Sequence, residues 1–339
     1  MIDITDLSVL RRYLKDRHLT AAGEEPRITS LKGGVSCEVL LVETSQDTFV
    51  IKQACPKLRV KEDWFSDMSR IKIEQDCLRY YQQVVPDLVP GFRFFDEENY
   101  LFGMEAAPAG AVMWKSLLMK GSIDFSIALR IASALAQVHN AAASDPEAWK
   151  TFASQKFFVE LRIDPYLRTT ASRHPALKAQ IDQEVQRLLE NRQTLVHGDF
   201  SPKNILVDND RLFILDFEVA HIGDPSFDLG FLTNHFLLKA VKHKDWAPAY
   251  LALMTSSAHA YLRQITFTEP APMEADTVRT LALLFLARVD GKSPAEYITE
   301  ETDKNLIRKL AYQILGDGLS TFDQVAALAW ETIRASHLA

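Results

Sequence analysis

A chain of 339 residues with 47% hydrophobic content can bury a core large enough for two domains. Its formal net charge of −7 argues against nonspecific nucleic-acid binding, which depends on neutralising phosphates with Lys and Arg. Cys37, Cys55 and Cys77 stand apart with no CxxC or His-rich spacing, so neither a disulfide framework nor a zinc site is indicated and a reducing cytoplasm is expected.

From the N-terminus the pattern predicts a helix over 6–16, then strands over 27–31, 37–43 and 48–53. Between the first two strands lies Leu31-Lys32-Gly33-Gly34-Val35-Ser36. Adjacent glycines let backbone N–H groups approach phosphates closely, and an ordinary hairpin turn has the same composition. In the third strand Thr48, Val50 and Lys52 alternate onto one face, which makes Lys52 a candidate phosphate ligand. The next helix carries an apolar stripe of Ile71, Leu78, Tyr81 and Val85, and Glu74 falls on it. Burying an unpaired carboxylate is costly, so Glu74 is expected to pair with a cation, and Lys52 is the natural one. Strands over 92–95 and 100–104 complete a small α+β lobe, and Met104–Gly110, with its Pro and Gly, reads as a connector.

From Phe125 onward helical patterns dominate: Ile127–Ala143, His174–Glu190, Asp228–Ala240, 246–264, Met273–Val289, Lys304–Ile314 and Phe322–Ala335. The strongest apolar run, Leu281–Ala287, is far shorter than the roughly 20 residues that cross a bilayer. Met1–Asp6 lacks a basic-then-apolar leader pattern, so no membrane association is expected.

One hairpin interrupts the helices. Residues 195–218 read LVHGDFSPKNILVDNDRLFILDFE, in which Ile205–Val207 and Leu212–Ile214 are strand-like runs joined by Asp208, Asn209 and Asp210. Folding about that turn is expected to bring Asn204 beside Asp216, since cross-strand partners lie about 5 Å apart. An amide oxygen and a carboxylate suit a hard cation such as Mg²⁺, which takes its remaining oxygens from water and phosphates. Asp199, in a loop led by His197 and Gly198, is the candidate base. His197 and His139 read as structural, and Asp228 either braces the loop backbone or caps the following helix. A reading of these Asp and Asn residues as turn formers and caps explains single positions but not the joint spacing.

HGDFSPKN, followed by LDFE and GDPSFDLG, resembles the aminoglycoside phosphotransferase and choline kinase group, small-molecule relatives of the protein kinases. The resemblance implies an α+β, protein-kinase-like bilobal fold with a small N-terminal β-sheet lobe and a larger, mainly helical C-terminal lobe. It places a nucleotide-binding lobe at 1–106 and a catalytic and acceptor-binding lobe at 107–339. It implies ATP (or GTP) and Mg²⁺, with the nucleotide contacted by Lys52, Glu74, Gly33, Gly34, Ser36, Met104 and Ala106, metal held by Asn204 and Asp216, and Asp199 catalytic. Glu218 and Arg288 are the expected acceptor contacts, and the acceptor is a small-molecule hydroxyl on a sugar derivative, aminoglycoside or choline-like alcohol. Ser201 stands where protein kinases carry a phosphate-binding lysine. Residues 52–74 are further similar to methylthioribose kinases, in the Lys-Gln-Ala start, Pro56, Arg59-Val60, Trp64, Arg70 and Glu74. A silent nucleotide-binding scaffold is the expectation of another class, opposed by the presence of Lys52, Glu74, Asp199, Asn204 and Asp216 together.

Overall fold

The computed structural model describes residues 1–31, 36–59 and 64–338. They divide into two compact units, one of Met1–Ala111 with Phe213–Glu218 and one of Val112–Leu212 with Val219–Ala339.

The smaller unit is built on an antiparallel sheet of β1 (Arg27–Ser30), β2 (Cys37–Glu43), β3 (Thr48–Ala54), β4 (Phe92–Asp96) and β5 (Leu101–Glu105), in the order β1-β2-β3-β5-β4. Side chains alternate along each strand, so Leu40, Val42, Phe49 and Ile51 share one face. There they meet Leu10, Tyr13 and Leu14 of helix α1 (Leu7–Asp16), whose start is capped by the Asp6 carboxylate accepting from the Ser8 and Val9 N–H groups. Lys52 is one residue out of phase with Ile51 and therefore faces the other side, where helix α2 (Arg70–Val84) buries Ile71, Glu74, Leu78 and Tyr81. The returning segment Phe213–Glu218 joins this unit, with Phe217 packed on Tyr81 at a ring-centroid distance of 4.7 Å.

The larger unit is mainly helical. Its longest helices are Phe125–Ala143, Ser226–Lys242, Ala247–Leu262, Pro270–Asp290, Glu301–Gly316 and Phe322–Leu338. Short strands hold the motif segment: β6 (Val112–Met113), β8 (Ile205–Asp208) and β9 (Arg211–Ile214) form one sheet, and β7 (Thr194–Val196) pairs antiparallel with β10 (His221–Gly223). The turn between β8 and β9 is made at Asn209, whose φ of +50° is one Asn tolerates better than most residues. A π-helical stretch, Val159–Arg168, contains Pro165, which lacks the N–H that an α-helical turn needs. No helix among the described residues is long and apolar enough to cross a membrane.

Candidate active site

In the smaller unit the register of the sheet aims the Lys52 side chain at α2. Its amine donates to Glu74 Oε1 at 2.5 Å and to Asp216 Oδ1 at 2.6 Å. The lysine–glutamate pair expected from the strand alternation and the helix stripe is thus formed, and Asp216 adds a second carboxylate. Burial alone would discharge Lys52, but Asp216 and then Glu74 outweigh it and hold the ammonium well above its ordinary range. Burial pushes the Glu74 carboxyl up to about 7 against the opposing pull of Lys52. Glu74 Oε2 is buried with no hydrogen-bond partner among the described residues, a polar orphan beside the lysine amine. Asp216 itself sits at φ +74°, in the left-handed region that non-glycine residues rarely adopt. Strain of that kind collects where the position of a side chain matters more than local stability.

Glu218 follows two residues later and is 6% exposed. Read above as an acceptor contact, it forms one half of a buried ion pair, accepting from Arg70 Nε at 2.9 Å. The remaining Arg70 nitrogens donate to the carbonyls of Ser36, Cys55, Ser66 and Asp67. Arg70 therefore ties the ends of β2 and β3 to α2 and to the returning segment, a role the sequence did not reveal. Cys37 Sγ converges with the Glu74 and Glu218 carboxylates. Both carboxylates already face cations and burial pushes the thiol pKa well up, so the trio is better satisfied by Lys52 and Arg70 than by a metal. Ser36 is buried with its carbonyl on Arg70, while Gly33 and Gly34, expected to cradle phosphates, and Val60 lie outside the described residues. Met104 pairs with Val50 across the β3–β5 ladder, and Ala106 follows the end of β5.

In the larger unit β7 delivers the chain to His197, Gly198 and Asp199. Gly198 has φ +77°, and a Cβ there would lie 2.9 Å from Val219 Cγ1, so only glycine makes this turn without displacing its neighbour. Asp228 Oδ2 accepts from the His197 N–H at 2.6 Å and Asp228 Oδ1 from the Gly198 N–H at 2.8 Å. The bracing role proposed for Asp228 from its motif is the one found. Burial would raise its pKa, yet the hydrogen bond and charge of His139 and the bond from the His197 N–H win and hold it below its ordinary value. Replacing Asp228 by Ala would strand two buried N–H groups, each costing about 1–3 kcal/mol. We expect the urea midpoint at neutral pH to fall by the equivalent of roughly 3 kcal/mol, with turnover falling as the loop loosens. An unchanged midpoint would mean that the two N–H groups find other acceptors.

Asp199 is steered from two sides. Arg162 Nη2 lies 2.9 Å from its Oδ2, and Asn204 Nδ2 donates to the same oxygen at 2.8 Å and to the Asp199 carbonyl at 3.0 Å. Spending its amide nitrogen in this way fixes which end of Asn204 is the donor and leaves Oδ1 as the end able to accept or ligate. Arg162 also donates from Nε to the Gly198 carbonyl at 2.8 Å. Nothing in the periodicity flagged Arg162, because the π-helical stretch that presents it follows no 3.6-residue repeat. Oxygen donors of this type, the Asn204 amide and the Asp216 carboxylate, match the preferences of a hard divalent cation. Asn204 belongs to the larger unit and Asp216 to the smaller.

His221 anchors the β10 side of this loop. It pairs with Val196 across the ladder, stacks on Phe158 at 4.1 Å, and its Nδ1 donates to the Val219 carbonyl at 3.0 Å. Burial lowers its pKa to about 4. Between that value and 6.5 the unfolded chain holds a proton that the folded protein refuses, so stability is intact above this window and declines as pH falls through it. The loss amounts to roughly 3 kcal/mol when complete. In His221→Phe the slope of stability against pH between 4 and 6.5 should flatten, whatever the offset at neutral pH; urea titrations across that range provide the check.

The model of the phosphotransferase enzyme family matches residues 27–252, about two thirds of the chain. The chain belongs to the phosphotransferase enzyme family. Among curated relatives, this phosphotransferase is 22% identical over 291 residues to methylthioribose kinase of Bacillus cereus strain G9842, covering 78% of this chain and 74% of that one. It is 27% identical over 233 residues to methylthioribose kinase of Bacillus velezensis, and there spans 58% of the relative's length and 59% of its own. Among solved structures, amicoumacin kinase in complex with AMP-PNP, Ca²⁺ and amicoumacin superposes with a TM-score of 0.58 at 14% identity, covering 93% of this chain and 96% of that one. Ethanolamine kinase of Plasmodium vivax gives 0.53 at 14% identity, covering 98% and 89%. These likenesses establish the kinase-like fold that the motifs led us to expect.

Proposed function

We propose that this phosphotransferase transfers the γ-phosphoryl group of ATP, or GTP, to a hydroxyl of a small molecule. The observation that carries the reading is Lys52 held between Glu74 and Asp216, a charged lysine kept in place at a point where phosphate oxygens can exchange for carboxylate ones. In this reading Met1–Ala111 holds the nucleotide, with Lys52 oriented by Glu74 and with Gly33, Gly34, Ser36, Met104 and Ala106 around it. Asn204 and Asp216 hold Mg²⁺, which supplies charge neutralisation for the phosphates when bound. Asp199 accepts the proton of the acceptor hydroxyl, and Arg162 and Asn204 keep its carboxylate turned toward that proton. Phosphoryl transfer asks little covalent chemistry of a protein, so positioning and electrostatics supply most of the rate.

A sugar acceptor of the methylthioribose type is the second reading, and the methylthioribose kinases among the relatives support it. The deciding experiment is an ATP-consumption screen across hydroxylated metabolites, with Asp199→Asn as control. Phosphorylated product from wild type and none from the variant supports the reading; thermal stabilisation by Mg-ATP with no transfer to any alcohol would support a silent scaffold instead.

A further inference from the structure

The larger unit gathers cations that the mechanism above does not use. Lys239, within the helix Ser226–Lys242, is fully buried, and its amine donates to the His235 carbonyl of its own helix at 3.2 Å. No carboxylate faces it among the described residues. Its ammonium lies 5.3 Å from the Tyr297 ring centroid, and the Lys115 ammonium lies 5.6 Å from the same centroid. Arg288, 9% exposed, stands close enough to lower the pKa of both lysines. Burial, and then Lys115 and Arg288, bring Lys239 down to about 7. Among the described residues the carboxylate paired in this group is the exposed Glu296, on Lys115. Arg288 spends Nη1 on the Tyr166 hydroxyl at 3.1 Å and on Ser293, but among the described residues its buried Nε has no hydrogen-bond partner, and neither does the buried Tyr297 hydroxyl.

This concentration of donors and positive charge lies three contacts from Asp199. Arg162, bonded to Asp199, is stacked over the Tyr166 ring at 5.8 Å, and Tyr166 accepts from Arg288. Lys203, in the turn that carries Asn204, also raises the local potential, since it lowers the pKa of Lys115. A buried amine without a carboxylate and unspent N–H and O–H donors are expensive, and their complement is an anion with several acceptor oxygens.

We infer that the Lys115–Lys239–Arg288 cluster is the acceptor subsite for an anionic group, a carboxylate or a phosphate, borne by the hydroxyl compound that Asp199 deprotonates. The inference rests on the phosphotransferase reading for its substrate role, but the anion site itself does not. It selects against aminoglycosides and choline-like alcohols, whose positive charge would meet Lys115, Arg288 and the Lys239 amine, offers a neutral methylthioribose-type sugar no charge to pair with, and favours hydroxy acids and monophosphorylated alcohols. Glu296, exposed on Lys115, occupies the place such an anion would contest.

The test is a titration of wild type, Lys239→Met and Lys115→Gln with inorganic phosphate and, separately, with acetate, read by thermal shift. Met matches Lys in length and relieves a buried charge, so Lys239→Met is expected to fold, and the half-exposed Lys115 gives a second variant independent of the core. Half-saturating anion should rise at least tenfold in both, while Lys150→Gln, at an exposed lysine of the larger unit that faces only Glu147 among the described residues, should leave the curve unshifted. Phosphate binding at lower concentration than acetate points to a phosphorylated alcohol, and the reverse to a hydroxy acid. Identical curves in wild type and Lys239→Met, or no anion-dependent shift at all, would overturn the subsite. A parallel Mg-ATP titration reports on the phosphotransferase reading by itself, so either can fail without the other.

Discussion

Asp199→Asn should cut turnover by roughly a thousandfold while Mg-ATP affinity stays within about threefold of wild type. Asn keeps the shape of the side chain and can still meet Asn204 and Arg162, but it cannot accept the acceptor's proton. The proton-transfer contribution of a positioned base is typically 10²–10⁴ in rate, which sets the size of the effect. Ground-state contacts to the nucleotide are assigned to other residues, so affinity is spared. Steady-state rates on any acceptor found by the screen, with nucleotide binding by calorimetry, separate the two quantities. Comparable turnover in variant and wild type would remove Asp199 from the role of base.

The second large effect is expected at Lys52. Substitution by Met leaves Glu74, 2% exposed, without its cation. Breaking one partner of a buried pair typically costs 3–5 kcal/mol, and proton uptake by Glu74, already pushed up to about 7, limits that cost to the low end. A loss of about 3 kcal/mol in unfolding free energy should therefore accompany a loss of Mg-ATP stabilisation. Adding Glu74→Leu removes the orphaned carboxylate, so the double variant should recover much of the stability and none of the nucleotide response. Recovery of both would show that the lysine serves packing alone, and recovery of neither would show that Asp216 is the group left in difficulty.

Much of the site was legible because the chemistry and the backbone period coincide. A lysine alternating on a strand, a glutamate on an apolar helical stripe and an Asp/Asn-rich turn between two short strands each carry their own physical signature. The pairing of Lys52 with Glu74 followed from those signatures, whereas the bracing of the loop by Asp228 was one of two readings its motif left open. Arg162 was not legible, since Pro165 breaks the repeat around it. Arg70 stood only as part of a likeness, since three of its five hydrogen bonds, to the Ser36 and Cys55 carbonyls and the Glu218 carboxylate, depend on segments apart from its own in the chain. Lys239 did leave a trace that could have been followed: a lone cation inside the otherwise uncharged stretch Leu229–Val241 cannot snorkel from the middle of a packed helix. The extra short helices, such as Trp114–Met119 with Lys115, fall below the length at which periodicity is informative.

The smaller unit is not a contiguous stretch of polypeptide: Phe213–Glu218 belongs to it although a hundred residues intervene. During synthesis the first 111 residues emerge without the counter-charge for Arg70 and without the second carboxylate on Lys52. Arg70 must wait for the ribosome to reach residue 218 before its carboxylate exists, and Lys52 has Glu74 alone until Asp216 is made. Truncation after Ala111 would thus yield not a free-standing module but a half-neutralised one, and maturation of this region is tied to the long-range closure that slows folding in chains of high contact order.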